Sequence, residues 1–420
     1  MRIFKILFIF FHISINAQSR TEMLDALKER GRWGDYYLKE NGDSFKLITK
    51  NIEVDSLVFL GDTTLRSSVL GSIFKPLKKS TASSVARSRF KELQDSHLFI
   101  SSSSKLSFAR YNYNNIAAVI DLKTDFKSHI GGIIGSNKDQ SGNWKLNGEL
   151  DLQLENLFKD GSSFGLFWQQ PSSVYRLLNF EVEYPVFSKL PFGVSASYNQ
   201  EFYEYSYINQ NLSSHLTSIG RYGKLKIGSK IETSKDIETS ESSKTRSASI
   251  IVQRDRRNAR WLPYSGGFWK IGSDIGTYKD QIGSTIEWNA NFNLGTFKSF
   301  RSSLLNFNFV VSLNHLEGRD IAPAKFTKFG GSNSIRGYNE NQFSAEWMTL
   351  QSLEVIFGNY YRSQFFTFFD NVYAKDLEIN PSSGFGLRVF DGKFYYDISL
   401  GFPLTGIQEA KLHVKFNTRL

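Results

Sequence analysis

The chain has 420 residues, a net charge of +10, 15% aromatic residues, eight prolines and no cysteine. Without cysteine there is no disulfide framework, thiolate zinc site or thiol nucleophile, and the six histidines (His12, His97, His129, His215, His315, His413) are too dispersed for a local metal motif of the H-E-x-x-H kind. A mean hydropathy of −0.32 excludes a bundle of membrane helices, each of which needs about 18 or more consecutive apolar residues, while the aromatic content fits strands that are apolar on one face only.

At the N-terminus, Arg2 and Lys5 precede an apolar core from Ile6 to Phe11, and Ala17-Gln18 closes the segment. Residues 1–19 therefore read as a secretory signal cleaved after Ala17; the apolar run is much shorter than the ~20 residues of a membrane anchor. Secretion without cysteine suits a bacterial envelope protein stabilised by something other than disulfides.

Residues 22–124 mix helical and strand signals. Thr21 to Arg30 carries Leu24 and Leu27 at helical spacing, and Tyr36–Leu38 and Phe45–Thr49 are short strand-like runs. A compact unit follows: a strand through Ile52–Phe59, a turn at Gly61-Asp62, helices around Thr64–Phe74 and Ser83–Asp95, and strands at Lys105–Tyr111 and Ile116–Leu122. The order β-α-α-β-β predicts one small α+β domain with its helices on one face of a short sheet.

From about residue 125 the hydrophobic period is 2. Trp144, Leu146, Leu150 and Leu152 alternate with Lys145, Asn147, Glu149 and Asp151, and Ile286, Trp288, Ala290, Phe292 and Leu294 alternate with Glu287, Asn289, Asn291 and Asn293. The chain ends the same way, with Leu412, Val414, Phe416 and Leu420 set against Lys411, His413, Lys415, Asn417 and Arg419. A soluble antiparallel sheet also alternates, but here the pattern persists over some 300 residues with almost no helix to cover the apolar face. In lipid that face is required, because a closed barrel satisfies every backbone group and turns apolar residues outward and polar ones inward.

Sixteen candidate strands follow, near 129–135, 143–154, 162–170, 176–185, 191–206, 210–220, 222–233, 246–254, 266–276, 282–295, 301–316, 345–358, 363–374, 383–390, 393–402 and 410–420. The expected fold is an all-β transmembrane barrel of 16 antiparallel strands over residues 125–420, preceded by the small α+β domain. An even count closes a bacterial barrel. Loops after odd-numbered strands face outside if the N-terminal domain is periplasmic; Thr233 to Thr245 is polar and low in complexity, expected as a solvated tip. Inward-facing Lys224, Lys226 and Lys230 suggest a cationic lumen that favours anionic segments or ions. No basic stripe with interleaved aromatics supports nucleic-acid binding.

The loop at about 317–344 contains Phe329-Gly330-Gly331-Ser332-Asn333-Ser334-Ile335-Arg336-Gly337-Tyr338. It is no phosphate loop, since no Gly-Lys-Ser/Thr follows. The segment resembles the Arg-Gly-Phe/Tyr motif, often preceded by Gly-Gly, of the BamA/TamA superfamily of outer-membrane assembly and two-partner-secretion barrels. There it lies in the sixth extracellular loop and folds back into the lumen; the strand count makes this loop sixth on the outside. Asp255-Arg256-Arg257-Asn258 with Pro263 and Ser265-Gly266 resembles the family's turn between strands eight and nine. Leu353-Glu354-Val355 and Phe368-Phe369-Asp370-Asn371 resemble its strands twelve and thirteen. The resemblance implies that Arg336 bonds to Glu354 and Asp370, both of which the alternation turns inward.

Residues 51–124 likewise resemble a POTRA domain, with its opening at Val54–Gly61, and residues 20–50 the remnant of another. Leu420 stands where the family tends to end in an aromatic residue. With no nucleophile and base placed by a motif and no local metal cluster, no enzymatic activity, metal or cofactor is expected; the resemblance implies a barrel in the bacterial outer membrane with its POTRA-like domain in the periplasm. Its partners would be outer-membrane lipid, unfolded outer-membrane or secreted client polypeptides, and periplasmic or lipoprotein accessory subunits. Three functions remain open: an assembly factor that inserts client proteins through a lateral seam between the first strand (around Ile130–Gly135) and the last (Leu412–Leu420), a two-partner-secretion-type polypeptide transporter, and a barrel serving only as scaffold.

Overall fold

The computed structural model describes residues 36–420 apart from 42–43, 50–52, 62–63, 82–83, 111–114, 139–143, 173, 186–191, 205 and 221. The signal segment, the helix expected at Thr21–Arg30 and most of residues 20–50 lie outside the described residues.

Strands β1 (Tyr36–Asn41) and β2 (Ser44–Thr49) form an antiparallel hairpin with Asn41 opposite Ser44. The small unit after it contains β3 (Val54–Gly61), α1 (Ser67–Ile73), α2 (Ser84–Ser96), β4 (Lys105–Arg110) and β5 (Ile116–Leu122), in the strand–helix–helix–strand–strand order expected. The three strands pair in the order β3-β5-β4. The middle strand carries the apolar run: Ile120 and Leu122 are fully buried, as are Val54, Phe74, Leu77 and Ala86.

The remainder is a closed antiparallel barrel of sixteen strands. Its first eight are β6 (His129–Lys138), β7 (Trp144–Glu155), β8 (Ser163–Ser172), β9 (Tyr175–Tyr184), β10 (Gly193–Tyr203), β11 (Tyr207–Gly220), β12 (Gly223–Asp236) and β13 (Ser242–Asp255). Then come β14 (Gly266–Lys279), β15 (Ser284–Phe300) and β16 (Ser303–Leu316). A long loop containing the short hairpin β17 (Thr327–Phe329) and β18 (Phe343–Ala345) precedes the last five, β19 (Trp347–Phe357), β20 (Ser363–Ala374), β21 (Ser382–Phe390), β22 (Phe394–Pro403) and β23 (Lys411–Arg419). All sixteen expected strands are present. Among the described residues no helix is long and apolar enough to cross a membrane.

The outward face carries the alternating apolar set. Ile227 and Ile231, Ile271 and Ile275, Leu353 and Phe357, and Phe365 and Phe369 are all exposed, a continuous apolar exterior that water would not tolerate and lipid requires. Strand length varies around the wall. β11 to β16 have 14 to 17 residues each, whereas β6 has 10 and β23 has 9.

Three expectations are corrected. Thr233–Thr245 is not a long loop: β12 runs to Asp236 and β13 starts at Ser242. Polar Ser and Thr continue the ladder there because pairing, unlike lipid contact, makes no demand on side-chain polarity. Nor are aromatics confined to the lipid side. Leu304, Ile356, Phe366 and Phe368 form one buried cluster, covered by Tyr264, Phe297 and Tyr360, and Phe329, Ile335, Ala345, Met348, Leu350, Val372 and Ala374 another, where the long loop packs against the inner face of β19 and β20. Strands covered on both faces read as near-continuous apolar runs, and Phe365-Phe366-Thr367-Phe368-Phe369 is such a run. Finally, the inward lysines are paired. Lys224 bonds to Glu183, Lys226 lies 2.7 Å from Glu183, and Lys230 lies 3.2 Å from Glu232 and 3.4 Å from Asp274. A lysine confined beside low-dielectric walls needs a counter-charge, and Glu183 of β9, Glu232 of β12 itself and Asp274 of β14 supply it.

Turn chemistry closes the short connections. In the turn 391–393 the Asp391 carboxylate accepts from the backbone N–H of Phe394 at 2.7 Å and of Lys393 at 2.8 Å. These bonds hold its carboxyl below the usual carboxylate range.

Candidate functional site

The loop between β16 and β19 enters the barrel and is fixed to its inner wall. Its tight path depends on glycines with positive φ: Gly330 at 127° and Gly331 at 88°. The Gly330 N–H donates to Ser334 Oγ at 2.6 Å, the Gly331 N–H to the Ile335 carbonyl at 3.1 Å, and the Ser332 N–H to Glu340 Oε1 at 2.6 Å. This small self-bonded bend buries Ile335 completely and turns the next residue, Arg336, into the wall.

The structure brings Arg336, Glu354 and Asp370 together. Arg336 Nε and Nη2 donate to the two oxygens of Asp370 at 2.8 and 2.7 Å, and its backbone N–H reaches Asp370 Oδ2 at 3.1 Å. Nη1 donates to Glu354 Oε1 at 2.6 Å. Planar bidentate pairing of this kind is the strong geometry for guanidinium and carboxylate. The guanidinium carbon also lies 3.6 Å from the centroid of the Phe368 ring, adding a cation–π contact in a desolvated setting.

Four participants lack any sequence motif. Ser352 Oγ accepts from Arg336 Nη2 at 3.0 Å and donates to Asp370 Oδ1 at 2.6 Å. Asn306 donates to Glu354 Oε2 at 2.9 Å. Arg388 of β21 donates to both oxygens of Glu354, at 2.8 and 2.7 Å, and through Nε to Asp397 at 2.9 Å. Two arginines therefore face three carboxylates across β19 to β22, leaving the cluster one formal negative charge. The signal that could have found Arg388 and Asp397 is their alternation with Leu387 and Ile398, both exposed, although it does not record their mutual register, Arg388 opposite Asp397.

Gly337 seats the loop on the wall. Its φ is 91°, and an added Cβ would stand 2.9 Å from the Phe402 nitrogen. On the facing strand a Cβ at Gly401 would stand 2.7 Å from the Gly337 nitrogen. The Gly337 N–H donates to His413 Nε2 of β23 at 3.2 Å, and the Tyr338 hydroxyl to the Asn380 carbonyl at 2.8 Å. The motif thus touches the last strand of the barrel as well as β19 and β20.

The turn between β13 and β14 is closed by its own residues. Asp255 accepts from Arg257 Nη2 at 2.5 Å, and Asn258 Oδ1 accepts from the N–H groups of Tyr264 and Ser265, both at 3.0 Å. Gly266 has φ 86°, and a Cβ there would collide with the Arg256 carbonyl. The Pro263 carbonyl accepts from buried Gln364 at 3.1 Å, which ties the turn to β20.

The barrel closes between β23 and β6 along a short register. Asn417 stands opposite Gly131, Thr418 opposite Ile130 and Arg419 opposite His129, and beyond them the Leu420 N–H donates to the Ser128 carbonyl at 3.0 Å; the described residues hold no further ladder pair across the seam. On its other side β23 pairs with β22 from Lys411 to Thr418. A Cβ at Gly131 would collide with the Phe416 carbonyl and the Asn417 side chain, and Gly132 has φ 130°. Leu412, Val414 and Leu420 of the terminal segment are exposed, while Phe416 is partly buried and stacks on Phe394 at 6.0 Å.

The closed sixteen-stranded barrel is similar in fold to the barrels of BamA and CdiB. Solved structures bear the same fold: BamA from Haemophilus ducreyi lacking POTRA domains 1-3 (15% identity, 96% of this chain and 94% of that chain covered, TM-score 0.53), CdiB from Acinetobacter baumannii (12%, 97% and 82%, 0.62) and CdiB from Escherichia coli (13%, 95% and 83%, 0.65). No family model and no curated protein matches the sequence.

Proposed function

We propose that the chain is an assembly factor of the bacterial outer membrane, inserting client barrels through the seam between β6 and β23, and that it is not an enzyme. Residues 1–19 serve as the signal peptide, 20–50 as a POTRA-like fragment, 51–124 as a POTRA-like domain in the periplasm and 125–420 as the barrel. The observation that carries this reading is the three-pair closure of the seam. β6 continues to Lys138 and β23 begins at Lys411, so each presents a stretch of strand edge without a ladder partner across the seam among the described residues. Unpaired N–H and C=O groups template an incoming strand, and in hydrocarbon each unsatisfied group costs several kcal/mol, so a client strand added there is strongly favoured. With a net ~0.5–1.5 kcal/mol per ladder bond, three pairs are a weak closure. The POTRA-like sheet offers a second edge for main-chain pairing with clients.

Depletion in the native host followed by outer-membrane proteomics tests the proposal. Loss of many barrel proteins is expected; loss of a single secreted protein establishes instead the second reading, a two-partner-secretion-type transporter. That reading draws on the pinned loop, which lies in the lumen and would have to move before a polypeptide could pass. An unchanged outer membrane leaves the scaffold role.

A further inference from the structure

The same loop is gripped at a second place. Lys325, in the short turn Pro323–Lys325, is buried at 9% exposure. Its Nζ donates to Glu232 Oε1 of β12 at 2.9 Å, to Thr245 Oγ1 of β13 at 3.0 Å, and to both oxygens of Glu287 of β15 at 3.0 and 2.9 Å. The Thr245 hydroxyl in turn donates to Glu287 Oε2 at 2.6 Å. An ammonium has three N–H donors and no acceptor, and three wall strands supply one partner each. Asn209 of β11 adds a bond to the neighbouring Ala324 carbonyl at 3.2 Å. None of these wall strands takes part in binding Arg336, whose partners lie on β19 and β20.

We propose that Lys325 is a positioning residue that forms a second anchor for the lumenal loop, holding it to the β12–β15 sector while Arg336 holds it to the β19–β20 sector, so that the lumen opens fully only when both let go. Arg336 alone tethers one end of the segment; the turn at Lys325 fixes the other against a different part of the wall. Removing Lys325 leaves Glu287 buried without its cation, which is costly, while Glu232 keeps Lys230 at 3.2 Å; the turn loses its bonds to β12, β13 and β15, and the only ion pair the loop keeps beside that sector among the described residues is Arg319–Asp280, at 3.0 Å.

The inference rests on the reading of the loop as a gate, but its test needs no client. Full-length protein is reconstituted in planar bilayers and ion conductance recorded for wild type, Lys325→Met, Arg336→Ala and the double variant. The expected result is that each single variant raises open probability by about tenfold, an equilibrium shift within reach of one buried ion pair, and that the double variant gives sustained large openings. Should Lys325→Met fail to fold, Lys325→Met with Glu287→Gln relieves the orphaned carboxylate, and the same rise is expected. Heat-modifiable barrels whose open probability matches wild type in either Lys325 variant overturn the second anchor. That outcome leaves the assembly role standing, since client insertion is measured separately.

Discussion

Arg388 and Arg336 share one carboxylate: Arg388 Nη2 and Arg336 Nη1 both donate to Glu354 Oε1, at 2.7 and 2.6 Å. Arg388 belongs to the wall and Arg336 to the loop. When the loop leaves, Glu354 therefore keeps a bidentate partner, while Asp370 retains only Ser352 among the groups that bond it here. The electrostatic cost of unlocking falls on Asp370.

It follows that Arg336→Ala should destabilise the barrel by about 3–5 kcal/mol, the usual penalty for orphaning a buried charge. Arg336→Ala with Asp370→Asn should recover part of that loss. Urea unfolding in detergent, read from heat-modifiability, checks both. Equal stability of the single and double variants would place the cost elsewhere.

Arg388→Met should behave differently. It removes the wall partner of Glu354 and Asp397 but leaves the loop bonded to Asp370, so global stability should fall while residues 317–346 stay protected from added protease. Rapid cleavage in that loop would show that Arg388 is itself part of the lock.

A methyl group at Gly401 or Gly337 cannot be accommodated without moving the loop, given approaches of 2.7 and 2.9 Å. Gly401→Ala should cost about 1–3 kcal/mol, in the range of overpacking, and should expose the loop to protease. Gly406→Ala, where a Cβ would meet nothing within 4 Å, is the control expected to match wild type.

The seam can be closed covalently because the chain has no other cysteine. Cysteines at Ile130 and Thr418, which are register partners, should crosslink on oxidation and stop client insertion, with recovery on reduction. Efficient crosslinking with full insertion activity would mean that the seam does not open in function.

Much of this architecture is legible because lipid outside and water inside impose period 2 directly on the sequence. Ile286 and Trp288 against Glu287, or Leu353 and Val355 against Glu354, disclose strand and facing together. The same alternation suffices to turn Glu354 and Asp370 inward. It fails where a third environment intervenes: Phe366 and Phe368 face a packed interior of Leu304, Ile356 and two guanidinium groups, so their strand loses its alternation. Lys325 is illegible for another reason. Its partners Glu232, Thr245 and Glu287 come from three distant strands, and no local spacing records where a lumenal turn will land. Likewise Thr233–Thr245 reads as a loop because polar composition resembles solvent exposure, although the ladder continues through it.

The uneven strand lengths bear on the membrane itself. At about 3.4 Å per residue and a tilt near 45°, 14-residue strands such as β12 and β14 rise about 34 Å, whereas the nine residues of β23 rise only about 22 Å. The hydrocarbon layer is about 30 Å thick. Lipid beside β23 must therefore compress to match the wall, at a fraction of a kcal/mol per ångström of mismatch. Strands β21 to β23 and β6 have 9 to 10 residues each, so the seam lies in a low sector of the wall, where a polar strand edge has a shorter stretch of hydrocarbon to cross than beside β11 to β16.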